Sequence, residues 1–139
     1  MRRVLAVGLA LISACGNAGM TVSDAWTRPS PPGADEAAIY MVVKNDSGSR
    51  DRLLAASSPS CVVVTPHLTE IVDGVARMRE SGLDELDMDP GSTLVMEPNA
   101  MHLMCLGLRG ALKDGEVLEL DLEFREAGSI RVHALTDQR

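Results

Sequence analysis

Two histidines and two methionines carry the most distinctive chemistry in this 139-residue chain. His67 is followed by Met78 after ten intervening residues, and His102-Leu103-Met104 comes after twenty-three more. In a β-strand alternate side chains share a face, so the imidazole of His102 and the thioether of Met104 are expected to project side by side. Two imidazoles and two thioethers make a soft, uncharged donor set. It suits monovalent copper better than magnesium, calcium or a thiolate-seeking structural zinc. Thioethers do not titrate, whereas imidazoles must be neutral to bind, so copper affinity is expected to fall as pH drops below about 6.5. Taken singly these residues say little, because a methionine more often fills a gap in a core than holds a metal. With only Trp26, Tyr40 and Phe124 as aromatics, the core must be built from Leu, Val, Ile and Met. Met41 and Met96 read as core, Met88 as loop, and Met101 as pointing away from the His102 face. His133 has no Met or Cys two positions away and stands apart.

The elements that would position these donors are short strands. Segments near Val22 to Trp26, Ala37 to Val43, Asp51 to Ala56, Cys61 to His67, Val75 to Arg79, Ser92 to Met96, His102 to Leu106, Val117 to Phe124 and Ile130 to Ala134 are apolar or alternating. Most are bounded by Gly, Pro, Asp or Ser. Val117 to Phe124 alternates most cleanly, behind a turn at Lys113-Asp114-Gly115-Glu116. No stretch longer than ten residues keeps a helical period. The pattern predicts an all-β domain, a β-sandwich or Greek-key barrel of eight or nine short strands. Pro66 places His67 at a strand end or loop rim.

The first fourteen residues read as a targeting signal. Arg2 and Arg3 precede an apolar run from Val4 to Ile12, too short to span a bilayer as a stable helix. Ile12-Ser13-Ala14-Cys15 resembles a bacterial lipobox, in which the signal is cut before the cysteine and the cysteine is lipidated. The alternative is an ordinary signal peptide with a chance cysteine. Both readings export the protein, and the first anchors it to the outer face of the bacterial cell membrane through Cys15. The expected organisation is a signal peptide over 1–14, a lipid-anchored tether over 15–20 and one domain over 21–139. Without Arg2 and Arg3 the balance is 11 basic against 20 acidic residues, a net charge of −9. Nucleic acid is an improbable partner for such a chain, since phosphate binding needs a basic face. Enzymatic activity has little support, with no nucleotide loop and no Ser-His-Asp order in view.

The run from His67 through Met78, followed by Pro90-Gly91-Ser92-Thr93-Leu94-Val95-Met96-Glu97-Pro98 and Met101-His102-Leu103-Met104-Cys105-Leu106-Gly107-Leu108, resembles the periplasmic copper chaperones called PCuAC. The His to Met spacing matches that family. The spacing to His-x-Met is two residues longer, and the acidic stretch Glu80 to Glu85 is where an insertion would fall. Leu68 stands where many members have a further Met. The resemblance implies a cupredoxin-like fold holding one Cu(I) per domain, with Cu(II) as a second state, through His67, Met78, His102 and Met104. It implies delivery to cytochrome c oxidase subunit II at its dinuclear copper site, directly or through a Sco-type thiol partner. An electron-transfer cupredoxin, or a lipoprotein with a purely structural or adhesive role, are the alternatives.

Cys61 and Cys105 would sit in an oxidising compartment, where two thiols favour pairing. Simple alternation argues against a disulfide, because Cys61 shares parity with His67 while Cys105 has the opposite parity to His102. A bulge or the break at Pro66 would reset the face; otherwise the thiols are free to be redox-active or to bind copper. The acids Glu80, Asp84, Glu85, Asp87 and Asp89 form either a docking site for a basic partner or a solvated loop.

Overall fold

The computed structural model describes residues 15–139. The expected signal segment, residues 1–14, lies outside the described residues. The strands are β1 (Cys15–Asn17), β2 (Met20–Thr27), β3 (Glu36–Asn45), β4 (Asp51–Ser57), β5 (Cys61–Val72), β6 (Val75–Glu80), β7 (Asp87–Met88), β8 (Thr93–Met96), β9 (Met101–Leu108), β10 (Val117–Phe124) and β11 (Gly128–Thr136), with one 3-10 turn at Leu83–Leu86. All nine expected strands are present, joined by the short β1 and β7. Residues 15–17, expected as a tether, form β1 antiparallel to β2, and Met20 opens β2 rather than closing a linker.

Neighbouring strands run in the order β2-β11-β10-β4-β5-β9-β3, and pairing of β2 with β3 closes the ring into a barrel. The β11–β2 pair is parallel and the other pairs among the described residues are antiparallel. Strict alternation makes the core. On β10, Leu118, Leu120, Leu122 and Phe124 are buried inside, while Val117, Glu119, Asp121 and Glu123 face outward. Ile39, Met41 and Val43 on β3 and Met101, Leu103 and Cys105 on β9 meet them there. Met88, expected in a loop, is buried in this core, because β7 pairs with β4 and turns its thioether inward. Asp51 is also buried and accepts N–H bonds from Glu126 and Ala127, each 2.9 Å, tying the start of β4 to the turn after β10.

Two irregularities set which residues face outward. In β2 the register shifts between Ser23 and Trp26, with Asp24 at φ +49°. Val22 faces the core before the shift, and Ala25 packs against it afterwards, so Trp26 is turned to the outer face beside its partner Tyr40. In β5 the burial runs buried, exposed, exposed, buried from Cys61 to Val64, opposite Gly107 at φ +67°. A side chain at Gly107 would collide with Val62, its Cβ falling 2.5 Å from a Val62 methyl. This break turns Cys61 inward with Val64 although the two differ in parity.

Candidate metal centre

β5 lies between β9 on one side and β6 on the other, so three adjacent strands present the candidate donors. His67 pairs directly with His102, Thr65 with Met104, and Thr69 with Met78. Directly paired residues share a face, so all four donors lie on the outer surface of the barrel wall, with Met104 and Met78 on opposite sides of the histidine row. The imidazole rings are 6.1 Å apart and nearly parallel, at 18°.

His67 is inside a strand, not at its end as Pro66 implied. β5 continues to Val72 because the missing N–H of Pro66 falls where no ladder bond is needed. The carbonyl of Pro66 accepts from Ser81 N–H, so its nitrogen points to the same side. There β5 passes from its single pair with β4, at Val64, to its pairing with β6, which begins at His67.

His102 is 2% exposed, and its Nδ1 is 3.0 Å from the carbonyl oxygen of Ala100. A carbonyl only accepts, so Nδ1 carries the hydrogen, and in the neutral ring Nε2 then keeps its lone pair. That Nε2 is buried and has no hydrogen-bond partner. A buried acceptor without a partner is costly unless something else fills the role, and an imidazole fixed through its other nitrogen by a carbonyl is arranged as metal-binding histidines are. His67 is half-buried, with Nδ1 3.4 Å from both the carbonyl and the hydroxyl of Thr65, a looser restraint. Met104 is buried and Met78 is 54% exposed. No group of three or more His, Cys, Asp or Glu is placed to hold a metal among the described residues, so thioethers would have to complete any site built on these histidines.

Cys61 and Cys105 form a disulfide across β5 and β9, with Cα atoms 5.5 Å apart. The parity objection fails because of the break opposite Gly107. Both sulfurs lie on the core side, behind the histidine row. Neither is a free thiolate, so these two cysteines cannot supply the ligand a blue copper centre requires, nor bind copper while oxidised. His133 is exposed on β11, away from this cluster.

Two aromatic residues that the sequence reading left unassigned stand beside the site. Tyr40 lies 6.1 Å from the His102 ring and Trp26 lies 4.7 Å from Tyr40. The alternation of β3 and β9 could have placed Tyr40 opposite the His-x-Met face; the shift at Asp24 hid Trp26. Three acids of the 80–89 segment, Glu85, Asp87 and Asp89, are paired with arginines of the chain. Arg79 pairs with Glu85 at 2.8 Å, Arg50 with Asp87 and Asp89 at 3.2 and 3.3 Å, and Arg52 with Asp87.

A family model described as "Putative lipoprotein LpqE-like" matches residues 20–135. The curated "Putative lipoprotein Lxx21020" of Leifsonia xyli subsp. xyli is 27% identical over 111 residues, 80% of this chain and 65% of that protein, so the chain spans just under two-thirds of its relative's length. Among solved structures, the copper-bound PCuAC domain from PmoF2 superposes with a TM-score of 0.74 at 20% identity, covering 92% of this chain and all of that domain. The Cu(I) form of DR1885 from Deinococcus radiodurans superposes at 0.66 with 24% identity, covering 94% of this chain and 84% of that one. The barrel is therefore the cupredoxin-like fold of PCuAC domains.

Proposed function

Starting from a chain that belongs to the LpqE-like lipoprotein family and has the PCuAC fold, we propose that it is an exported Cu(I) carrier, anchored to the outer face of the bacterial cell membrane through a lipidated Cys15. His67, Met78, His102 and Met104 would hold one Cu(I). The observation that carries this reading is the buried, partnerless Nε2 of His102, opposite His67, with Met104 two residues on along the same strand and Met78 on β6 beyond β5. The copper bound by PmoF2 and DR1885 domains of the same fold supports it.

The chain's own groups account for both capture and release. The carbonyl of Ala100 holds the His102 tautomer, so no proton has to leave Nε2 when the ion arrives. Four neutral donors leave the charge of the ion uncompensated, so a thiolate acceptor can draw it away. Such a carrier would deliver copper to cytochrome c oxidase subunit II, directly or through a Sco-type thiol protein, and would itself catalyse no reaction.

Anaerobic Cu(I) titration against a chromophoric chelator tests the reading, on the wild type and on Met104→Ala. The expected result is one tightly bound equivalent in the wild type and much weaker binding in the variant. No binding by the wild type would overturn the copper reading, and binding indifferent to Met104 would overturn the ligand set.

A further inference from the structure

One transverse row of rings crosses the outer face of the barrel: Trp26 on β2, Tyr40 on β3, His102 on β9 and His67 on β5. Their centres are 4.7, 6.1 and 6.1 Å apart in turn. His102 therefore has a ring on each side, His67 nearly parallel to it and Tyr40 tilted by 54°. Tyr40 is 6% exposed and is braced from behind by Trp26, which is 8% exposed. The guanidinium groups of Arg139 and Arg28 lie 5.0 and 5.7 Å from the Trp26 ring centre. A hydrogen bond from Nδ1 to Ala100 fixes the tautomer of His102, but one bond leaves the ring free to tilt about it. Tyr40 stands on the β3 side of the ring, in the path of a tilt that way.

We propose that Tyr40 is a positioning residue for His102 and that it sets the preference of the site for Cu(I) over Zn(II). The proposal rests on the copper reading above. Cu(I) is satisfied by a few soft, neutral donors. Zn(II) prefers four tetrahedral ligands, takes thioethers poorly, and completes its shell with water or carboxylate where protein donors fall short. The Tyr40 ring would keep water off one flank of His102 and so withhold a ligand that zinc needs and Cu(I) does not. Trp26 acts one step further out, by keeping Tyr40 in place.

The test compares Tyr40→Ala and Tyr40→Phe with the wild type, in two measurements. In the metal-free protein, long-range 15N–1H NMR reads the His102 tautomer. The wild type and Tyr40→Phe are expected to show hydrogen on Nδ1 alone, and Tyr40→Ala a mixture. In competition titrations, Tyr40→Ala is expected to lose about 10- to 100-fold in Cu(I) affinity, the usual cost of an outer partner. Its Zn(II) affinity should change less, so the copper-to-zinc ratio falls, and Tyr40→Phe should restore both. Tyr40→Leu keeps apolar bulk and is read in the same way if the alanine variant does not fold. An unmixed tautomer with unchanged Cu(I) affinity in the aliphatic variant would overturn the proposal, as would parallel losses of copper and zinc. If the wild type bound no Cu(I), the copper reading would fail, while the metal-free tautomer would still decide whether Tyr40 positions His102.

Discussion

The two halves of the candidate site are built differently. His102 and Met104 belong to β9, inside the closed ring, and both are buried. His67 is half-buried on β5, itself a ring strand, and Met78 lies on β6, outside the ring; the last rungs of the β5–β6 hairpin, from Glu70 to Val72, pair only with β6. The hairpin's front face, with Ile71 and Met78 well exposed, has little packed against it. The contrast teaches that one candidate site can join two kinds of support. One half is held by the same packing that holds the barrel, and the other is left open to solvent. Folding stability and metal affinity should then separate according to which half is altered.

The strongest perturbation cuts the link between the halves. The disulfide joins β5 to β9 over a sequence separation of 44 residues. In the chain-entropy treatment such a loop is worth about 4 kcal/mol. Denaturant unfolding of the Cys61→Ser, Cys105→Ser double variant should show a loss of that order. A loss below about 1 kcal/mol would mean that packing alone keeps His67 opposite His102. Next comes the paired comparison of the thioethers. Met104→Ala should lower stability by about 2 kcal/mol or more, as for other buried methionines. Met78→Ala should change it by less than about 0.5 kcal/mol. Both variants should bind Cu(I) more weakly. Equal stability losses from the two would abolish the distinction between a rigid half and an open one.

The smallest expected effect comes from a barrel residue remote from both halves. Burial pushes the Asp51 carboxyl up, but N–H groups of Glu126, Arg52 and Ala127, with Arg125 nearby, hold it below its ordinary value of 3.8. A carboxylate lowered in the folded state stabilises the fold above that ordinary value, and the contribution fades as pH falls through the lowered one. Asp51→Asn should therefore reduce stability at neutral pH and flatten the acid limb of a stability-against-pH curve below 3.8. Its Cu(I) affinity at neutral pH should match the wild type, and a shift there would show that the barrel end and the site are coupled.

Much of this was legible in the chain because alternation is a strong signal wherever one face is buried. The strand from Val117 to Phe124, and the side-by-side placement of His102 and Met104, follow from a period of two. What escaped was local breaks in that period. Asp24 in the left-handed region turned Trp26 outward, and the collision avoided at Gly107 turned Cys61 inward. Pro66 reads as a strand terminator unless one knows that its nitrogen falls between β4 and β6. β7 is only two residues long, so Met88 looked like loop. Each of these depends on a partner strand distant in sequence, which no window along the chain contains.

β6 is also the edge of the sheet beyond the barrel, since it pairs with β5 alone among the described residues. An exposed strand carrying apolar residues is a template onto which another chain can add a strand. Three of its six residues, Arg77, Arg79 and Glu80, are charged, and Arg79 bridges to Glu70 and Glu85. Charges at that density deter edge-to-edge joining. The hairpin that leaves a thioether uncovered thus carries its own guard against aggregation, and removing those charges to improve docking would expose the protein to self-assembly.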